Sequence, residues 1–200
     1  MKRFVLTGTP GAGKTTVIGV LRRLGYSTVG EAATEVIARR QAAGEARPWT
    51  AARFIDDVVA LQRERESGAA SSGALCFFDR SPVCTLALSR YLGRPPSMAL
   101  RAEIDRIRRA GTYQPMVFFL ANLGFVEPTA ARRISFAEAL EFERVHREVY
   151  RELGFEAFEV GVGTPGERAA AILAAIPDGP AGPAGPADPA RPAGPGASPR

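Results

Sequence analysis

Two hundred residues, 46% of them hydrophobic and 24% charged, suffice for one globular domain with a buried core and a soluble surface. No apolar run approaches the roughly 20 residues of a membrane span, no signal-peptide hydrophobic region opens the chain, and Cys76 and Cys84 are too few for a disulfide framework or a four-ligand zinc site, so a cytoplasmic protein with no membrane partner is expected. The net charge of +5 rests on arginines spread along the chain without an aromatic-interleaved stripe; an anionic small substrate explains it as well as nucleic acid does, and nucleic acid is not the expected partner.

The chain opens on a β-rich run, Arg3 to Thr7, and a helix pattern follows from Lys14 to Leu24 with Val17, Ile18, Leu21 and Leu24 on one side. Between them lies Gly8-Thr9-Pro10-Gly11-Ala12-Gly13-Lys14-Thr15. A phosphate chain has to be met by several backbone N–H groups at once, which needs glycines for close approach and a helix N-terminus behind them. The strand before and the helix after supply the context that makes this loop credible as a site for ATP or GTP with Mg²⁺. Lysine is otherwise nearly absent: of 26 basic residues only Lys2 and Lys14 are Lys. A compact ammonium reaching the β- and γ-phosphates accounts for its retention at Lys14. Thr15 then offers its hydroxyl to Mg²⁺, and Thr16 falls near the α-phosphate.

A second strand is read at Tyr26 to Val29, and helices at Ala33 to Ala43 and Thr50 to Glu66, with Gly25 and Gly44 as stop signals. Glu31 leaves the second strand; it is read as a substrate-side carboxylate, with a helix N-terminal role or replacement by Glu35 as alternatives. The third strand, Leu75 to Asp79, ends in a carboxylate where open parallel sheets place their ligand crevice, which makes Asp79 a candidate for the Mg²⁺ shell. Ser81 and Pro82 are suited to cap and start the next helix, Pro82 to Tyr91. Further helices follow at Met98 to Ala110, Phe136 to Leu153 and Pro165 to Ile176, and strands at Pro115 to Ala121 and Ala157 to Val160. The alternation predicts an α/β fold with helices on both faces of a parallel sheet. Arg39, Arg40 and Arg94 read as solvated helix arginines, Trp49 as a packing anchor, and His146, the only histidine, as structural or superficial.

With the loop, Glu31 in GEAATEVI, FFDRSP at 77–82, Arg132-Arg133 before a long helix and VGTPGER at 162–168, the chain resembles the nucleoside and nucleotide kinase group of P-loop proteins. It looks closest to the AAA-type ATPase/kinase domain family that includes the ribosylnicotinamide kinase domain of the NAD regulatory protein. The resemblance implies a three-layer fold with a five-stranded sheet in the order 2-3-1-4-5. It implies that Arg80 faces the acceptor or the transferred phosphoryl group, and that Asn122 to Ser135 forms a short lid bringing Arg132 or Arg133 onto the phosphates. It also implies an adenine-side loop over Gly163, Thr164, Pro165 and onward to Arg168. In deoxynucleoside kinases, which the arrangement also resembles, the glutamate matching Glu31 is the base.

One P-loop domain is expected over residues 1–176, with a disordered Pro/Gly/Ala-rich tail over 177–200 that has too little apolar area to offset its ordering entropy. The expected activity is transfer of the γ-phosphoryl group of ATP to a hydroxyl on a small-molecule acceptor. The alternative is an ATPase or regulatory switch acting on a protein partner. No NKxD-type guanine signature and no double-acidic Walker B occur; the acceptor and the oligomeric state stay open.

Overall fold

The computed structural model describes residues 1–69, 73–123 and 135–177. Five parallel strands, β1 (Lys2–Gly8), β2 (Ser27–Val29), β3 (Leu75–Asp79), β4 (Met116–Leu120) and β5 (Glu156–Val160), form one sheet in the order β2-β3-β1-β4-β5. The central strand pairs with β3 from Lys2 opposite Leu75 to Leu6 opposite Asp79, and with β4 as far as Gly8 opposite Leu120. All the strands therefore deliver their C-terminal ends to one edge, and the site forms there.

Among the described residues seven α-helices surround the sheet: α1 (Lys14–Arg23), α2 (Ala32–Ala42), α3 (Phe54–Gly68), α4 (Pro82–Tyr91), α5 (Met98–Arg109), α6 (Phe136–Glu152) and α7 (Pro165–Ala174). Side-chain alternation along the strands assigns them to faces. Phe4, Leu6, Phe77, Phe118 and Leu120 pack with Val17, Ile18 and Leu21 of α1 and Ile172 of α7. Val5, Cys76, Phe78 and Val117 point the other way, onto α2 to α6. Both faces of the inner strands are buried, which is why they read as continuous apolar runs rather than alternating ones. Cys76 and Cys84 are free thiols inside this packing.

Every element start but that of α3 falls within one residue of the sequence pattern, and two of the differences have a visible cause. The strand begins at Ser27 because Tyr26 is used by the preceding helix: its N–H donates to the Leu21 carbonyl at 3.1 Å, past Gly25 at φ 88°. The helix expected from Thr50 breaks in two. Pro48–Thr50 closes a single 3-10 turn on the Arg47 carbonyl, Ala51 is extended, and α3 restarts at Phe54. Trp49 is an anchor packed against the core, as its sequence context suggested. Arg40 is not solvated but paired with Glu45 and Asp57, and Arg94 donates to the carbonyls of Trp49 and Thr50.

Gly8 closes β1 at φ 130°, and a Cβ there would lie 2.5 Å from the Leu120 carbonyl oxygen of the paired strand. Backbone on both sides has to move to admit it. Gly8→Ala should therefore cost about 3 kcal/mol, a drop of roughly 6–12 °C in melting temperature. A variant melting with the wild type would contradict the close approach of β1 and β4.

Candidate functional site

The turn between β1 and α1 is shaped by Gly8, Gly11 and Gly13, at φ 130°, 90° and 78°. Only glycine takes such values without strain. Gly13 stands at the N-cap of α1 with no side-chain capping bond, and the first N–H groups of a helix have no intrahelical partner. Together with the helix dipole they form an anion cradle. Thr9 and Ala12 are buried beneath it, Pro10 is half-buried, and Thr15 and Thr16 are exposed at its rim.

Lys14 is only 6% exposed and its Nζ donates to the carbonyls of Gly8 (3.1 Å) and Thr9 (2.6 Å). Burial, and next the charge of Arg80, pull its pKa down to about 7 against the attraction of Asp79 and Glu31. A polyphosphate alongside reverses that balance by adding negative charge next to the ammonium.

Asp79 is buried at the end of β3, where its Oδ2 accepts a hydrogen bond of 2.8 Å from the Thr15 hydroxyl. Its Oδ1 is buried without a partner among the described residues. Burial, then the neighbouring Glu31 charge, raise the Asp79 pKa, with Lys14, Arg80 and Thr15 opposing. An unshared carboxylate oxygen whose charge is disfavoured, beside an exposed hydroxyl, suits a divalent cation. Among the described residues no three His, Cys, Asp or Glu side chains gather into a metal cluster. Phosphate oxygens and water would complete such a shell.

The next residue leaves β3 in an unusual conformation. Arg80 has φ 72°, alone among the described non-glycine residues in being left-handed, and its N–H donates to the Leu6 carbonyl at 3.1 Å. A strained residue of this kind costs about 1–3 kcal/mol and is sustained where its placement serves a site. Here the guanidinium meets Glu31: Nε donates to the carboxylate at 2.8 Å, and the Thr34 hydroxyl donates to its other oxygen at 2.8 Å. Burial favours the protonated form of Glu31, but Arg80, Lys14 and the hydrogen bonds outweigh it and the pKa is lowered. The Glu31–Arg80 pair retains some exposure, 25% for the Glu31 side chain and 11% for that of Arg80. Glu35, one turn on, is held by Arg39 and Arg65 on the flank of α2 and joins neither Arg80 nor Asp79.

Two further groups touch the phosphate loop and Arg80: Arg168, expected only on the adenine-side loop, and His146, expected outside the site. Arg168, only 4% exposed, donates from Nη1 to the Ala12 carbonyl at 2.7 Å and from Nη2 to the Ala121 carbonyl at 3.0 Å. It ties α7 and the end of β4 to the phosphate loop. A signal existed: a cation in the first turn of a helix opposes the dipole and needs a tertiary partner. His146 is fully buried, with Nε2 3.4 Å from Arg80 Nη1. One turn further along α6, the Tyr150 hydroxyl lies 2.8 Å from Ser81 Oγ and 3.1 Å from Cys84 Sγ.

Gly163, Thr164 and Pro165 lead into α7. The Thr164 side chain is committed to a capping box with Glu167, so the backbone of Gly163 is the freer part of this loop. Arg132 and Arg133, most of the expected lid and residues 178–200 of the tail lie outside the described residues. No described helix is long and apolar enough to cross a membrane.

A family model described as an AAA domain matches residues 3–168. Among solved structures the fold is similar to the NadR protein in complex with NAD and AMP-PNP, with a TM-score of 0.61 and 15% identity, covering 86% of this chain and 47% of that one. The chain thus spans about half of that protein's length. It is similar to deoxyadenosine kinase from M. mycoides, with a TM-score of 0.53 and 16% identity over 86% of this chain and 97% of the other. For shikimate kinase from Acinetobacter baumannii the TM-score is 0.50 at 16% identity, over 86% and 91% of the two chains. These likenesses establish the shared fold. No curated protein matches the sequence.

Proposed function

We propose, from the premise that this chain belongs to the AAA-domain family, that it is a kinase moving the γ-phosphoryl group of ATP to a hydroxyl of a small molecule. The observation that carries the reading is the separation of two carboxylates at the sheet edge. Asp79 is joined to Thr15 beside the phosphate loop, while Glu31 is joined to Arg80 and Thr34. The known functions of proteins with this fold, among them deoxyadenosine and shikimate kinases, are consistent with it.

In this reading residues 8–16 cradle the phosphates, Lys14 turns from its own loop carbonyls to the β- and γ-phosphates, and Arg168 holds the loop's shape through Ala12. The Thr15 hydroxyl and Asp79 would hold Mg²⁺, which would supply neutralising charge to the phosphates. Gly163, Thr164 and Pro165 border the adenine, and Arg132 or Arg133 closes over the transferred group. The acceptor hydroxyl hydrogen-bonds to Glu31. Its oxygen attacks the γ-phosphorus, the bond to the β–γ bridging oxygen breaks, ADP leaves, and the hydroxyl proton passes to Glu31. Because its pKa is lowered, Glu31 is ionised at neutral pH and mainly orients the hydroxyl, accepting the proton late. Arg80 stays charged, since burial is outweighed by the surrounding negative charges together, Glu31 first and Asp79 among them, and it faces the negative charge of the phosphoryl group. The protein works in the cytoplasm on an anionic or polar metabolite, without membrane or nucleic acid.

Acceptor dependence tests the activity: ADP release from Mg-ATP should rise on adding the small-molecule fraction of a cell extract, and turnover at the same rate without it would favour an ATPase. Asp79→Asn tests the metal side. It should raise the Mg²⁺ concentration for half-maximal turnover at least about tenfold, because the buried oxygen without a partner becomes an uncharged amide atom. An unchanged Mg²⁺ requirement would remove Asp79 from the metal shell.

A further inference from the structure

Resting on the kinase reading, we propose that His146 is a positioning residue, whose imidazole, fixed on the Phe142 carbonyl, holds the Arg80 guanidinium against the Glu31 carboxylate. The tautomer is decided by its neighbours. Nδ1 lies 2.9 Å from the Phe142 carbonyl, which only accepts, so Nδ1 carries the hydrogen. Nε2 is then a bare acceptor, and the group before it is Arg80 Nη1 at 3.4 Å, which only donates. From Phe142 through His146 and Arg80 to Glu31 and Thr34, each hydrogen bond has one permitted direction.

A guanidinium needs acceptors on several edges, and Glu31 takes the Nε edge. A second carboxylate on the Nη1 edge would satisfy Arg80 while quenching its charge. A neutral imidazole satisfies it and leaves the charge available to a phosphoryl group. Burial is what keeps this imidazole neutral, and the Arg80 and Lys14 charges reinforce it against the Phe142 hydrogen bond and Glu143, so its pKa falls to about 3. The ring plane is set by its edge contact with Phe142, centroid to centroid 4.2 Å, and Tyr150 pins the neighbouring Ser81. Two points on α6 thus grip the turn that carries the strained Arg80. If His146 served packing alone, an apolar side chain of similar size would replace it at no cost to Arg80.

The variants are His146→Leu, which keeps bulk and loses the acceptor, and His146→Gln, whose amide oxygen reaches toward the place of Nε2. Transfer from γ-labelled ATP to the small-molecule extract fraction should fall about 10- to 100-fold in H146L at an ATP KM within about threefold, and H146Q should recover most of it. In an Arg80→Ala background H146L should add no further loss. A wild-type rate in folded H146L, or losses that multiply across the two backgrounds, would overturn the proposal. Since His146 is the only histidine, ¹⁵N-histidine labelling reports one ring: neutral and protonated on Nδ1 from pH 8 to 5 in the wild type, with its titration moved upward in Arg80→Ala. An Nε2–H tautomer, or a wild-type midpoint near 6.5, would overturn it equally, and this reading stands even if H146L does not fold. The spectra need no turnover, so a protein that transfers no phosphoryl group would fail the kinase reading while the coupling of His146 to Arg80 is still decided.

Discussion

Lys14→Ala should fold and yet bind Mg-ATP at least about 100-fold more weakly, the combined loss of charge-assisted contacts to two phosphates. The ammonium is buried and its pKa is lowered to about 7. In the unfolded chain it titrates near the ordinary lysine value, so between about pH 7 and 10.5 the unfolded state binds more protons and stability rises with pH. Below pH 7 both states are protonated and the handicap of the buried charge is present in full. Lys14→Ala removes that handicap and loses packing in exchange. Its melting temperature should lie near or above the wild-type value at pH 7, and the wild type should close any gap as the pH rises toward 10. Calorimetric titration with Mg-ATP and melting at pH 7 and 9.5 measure both effects. A folded variant with undiminished affinity would overturn the assignment of the phosphate loop.

Glu31→Gln should keep ATP affinity within a few-fold and lower transfer to the acceptor by roughly 10²- to 10⁴-fold, the usual contribution of a positioned base. The amide keeps the shape and an acceptor for Arg80 but gives up the charge that receives the hydroxyl proton. Glu35→Gln is the matched control. It loses the ion pairs with Arg39 and Arg65 at the partly exposed edge of α2, worth about 1 kcal/mol or less, and touches neither Asp79 nor Arg80. Transfer at the wild-type rate in Glu31→Gln, beside a dead Glu35→Gln, would move the base to Glu35. Full activity in both would leave the acceptor side without chemistry.

The strand and helix pattern was legible because the inner strands β1, β3 and β4 are short apolar runs buried on both faces of the sheet, and glycine, cap or proline signals punctuate the helices. The phosphate loop was legible residue by residue because it is local: glycine conformations, a lysine and a threonine within eight positions. The sheet order came from resemblance rather than from the residues, since strand adjacency is a matter of long-range pairing. The pairing of Arg80 with Glu31, 49 positions apart, could not be read from either motif alone. Nor could the left-handed turn at Arg80, which breaks a local rule that only the folded site repays. His146 looked ordinary because a single histidine in an amphipathic helix is usually packing. Only the folded chain shows that its free nitrogen meets a guanidinium.

In the proposed reaction the γ-phosphoryl group ends on a small molecule, with Glu31 receiving the hydroxyl proton. The most direct test is to incubate the protein with Mg-ATP labelled in the γ-phosphate and a small-molecule pool, then resolve the labelled products for the wild type and Glu31→Gln. Label should appear in a new organic phosphate formed by the wild type and be nearly absent with Glu31→Gln, at comparable ATP binding. Label found only in free phosphate, at equal rates in both proteins, would contradict that reaction.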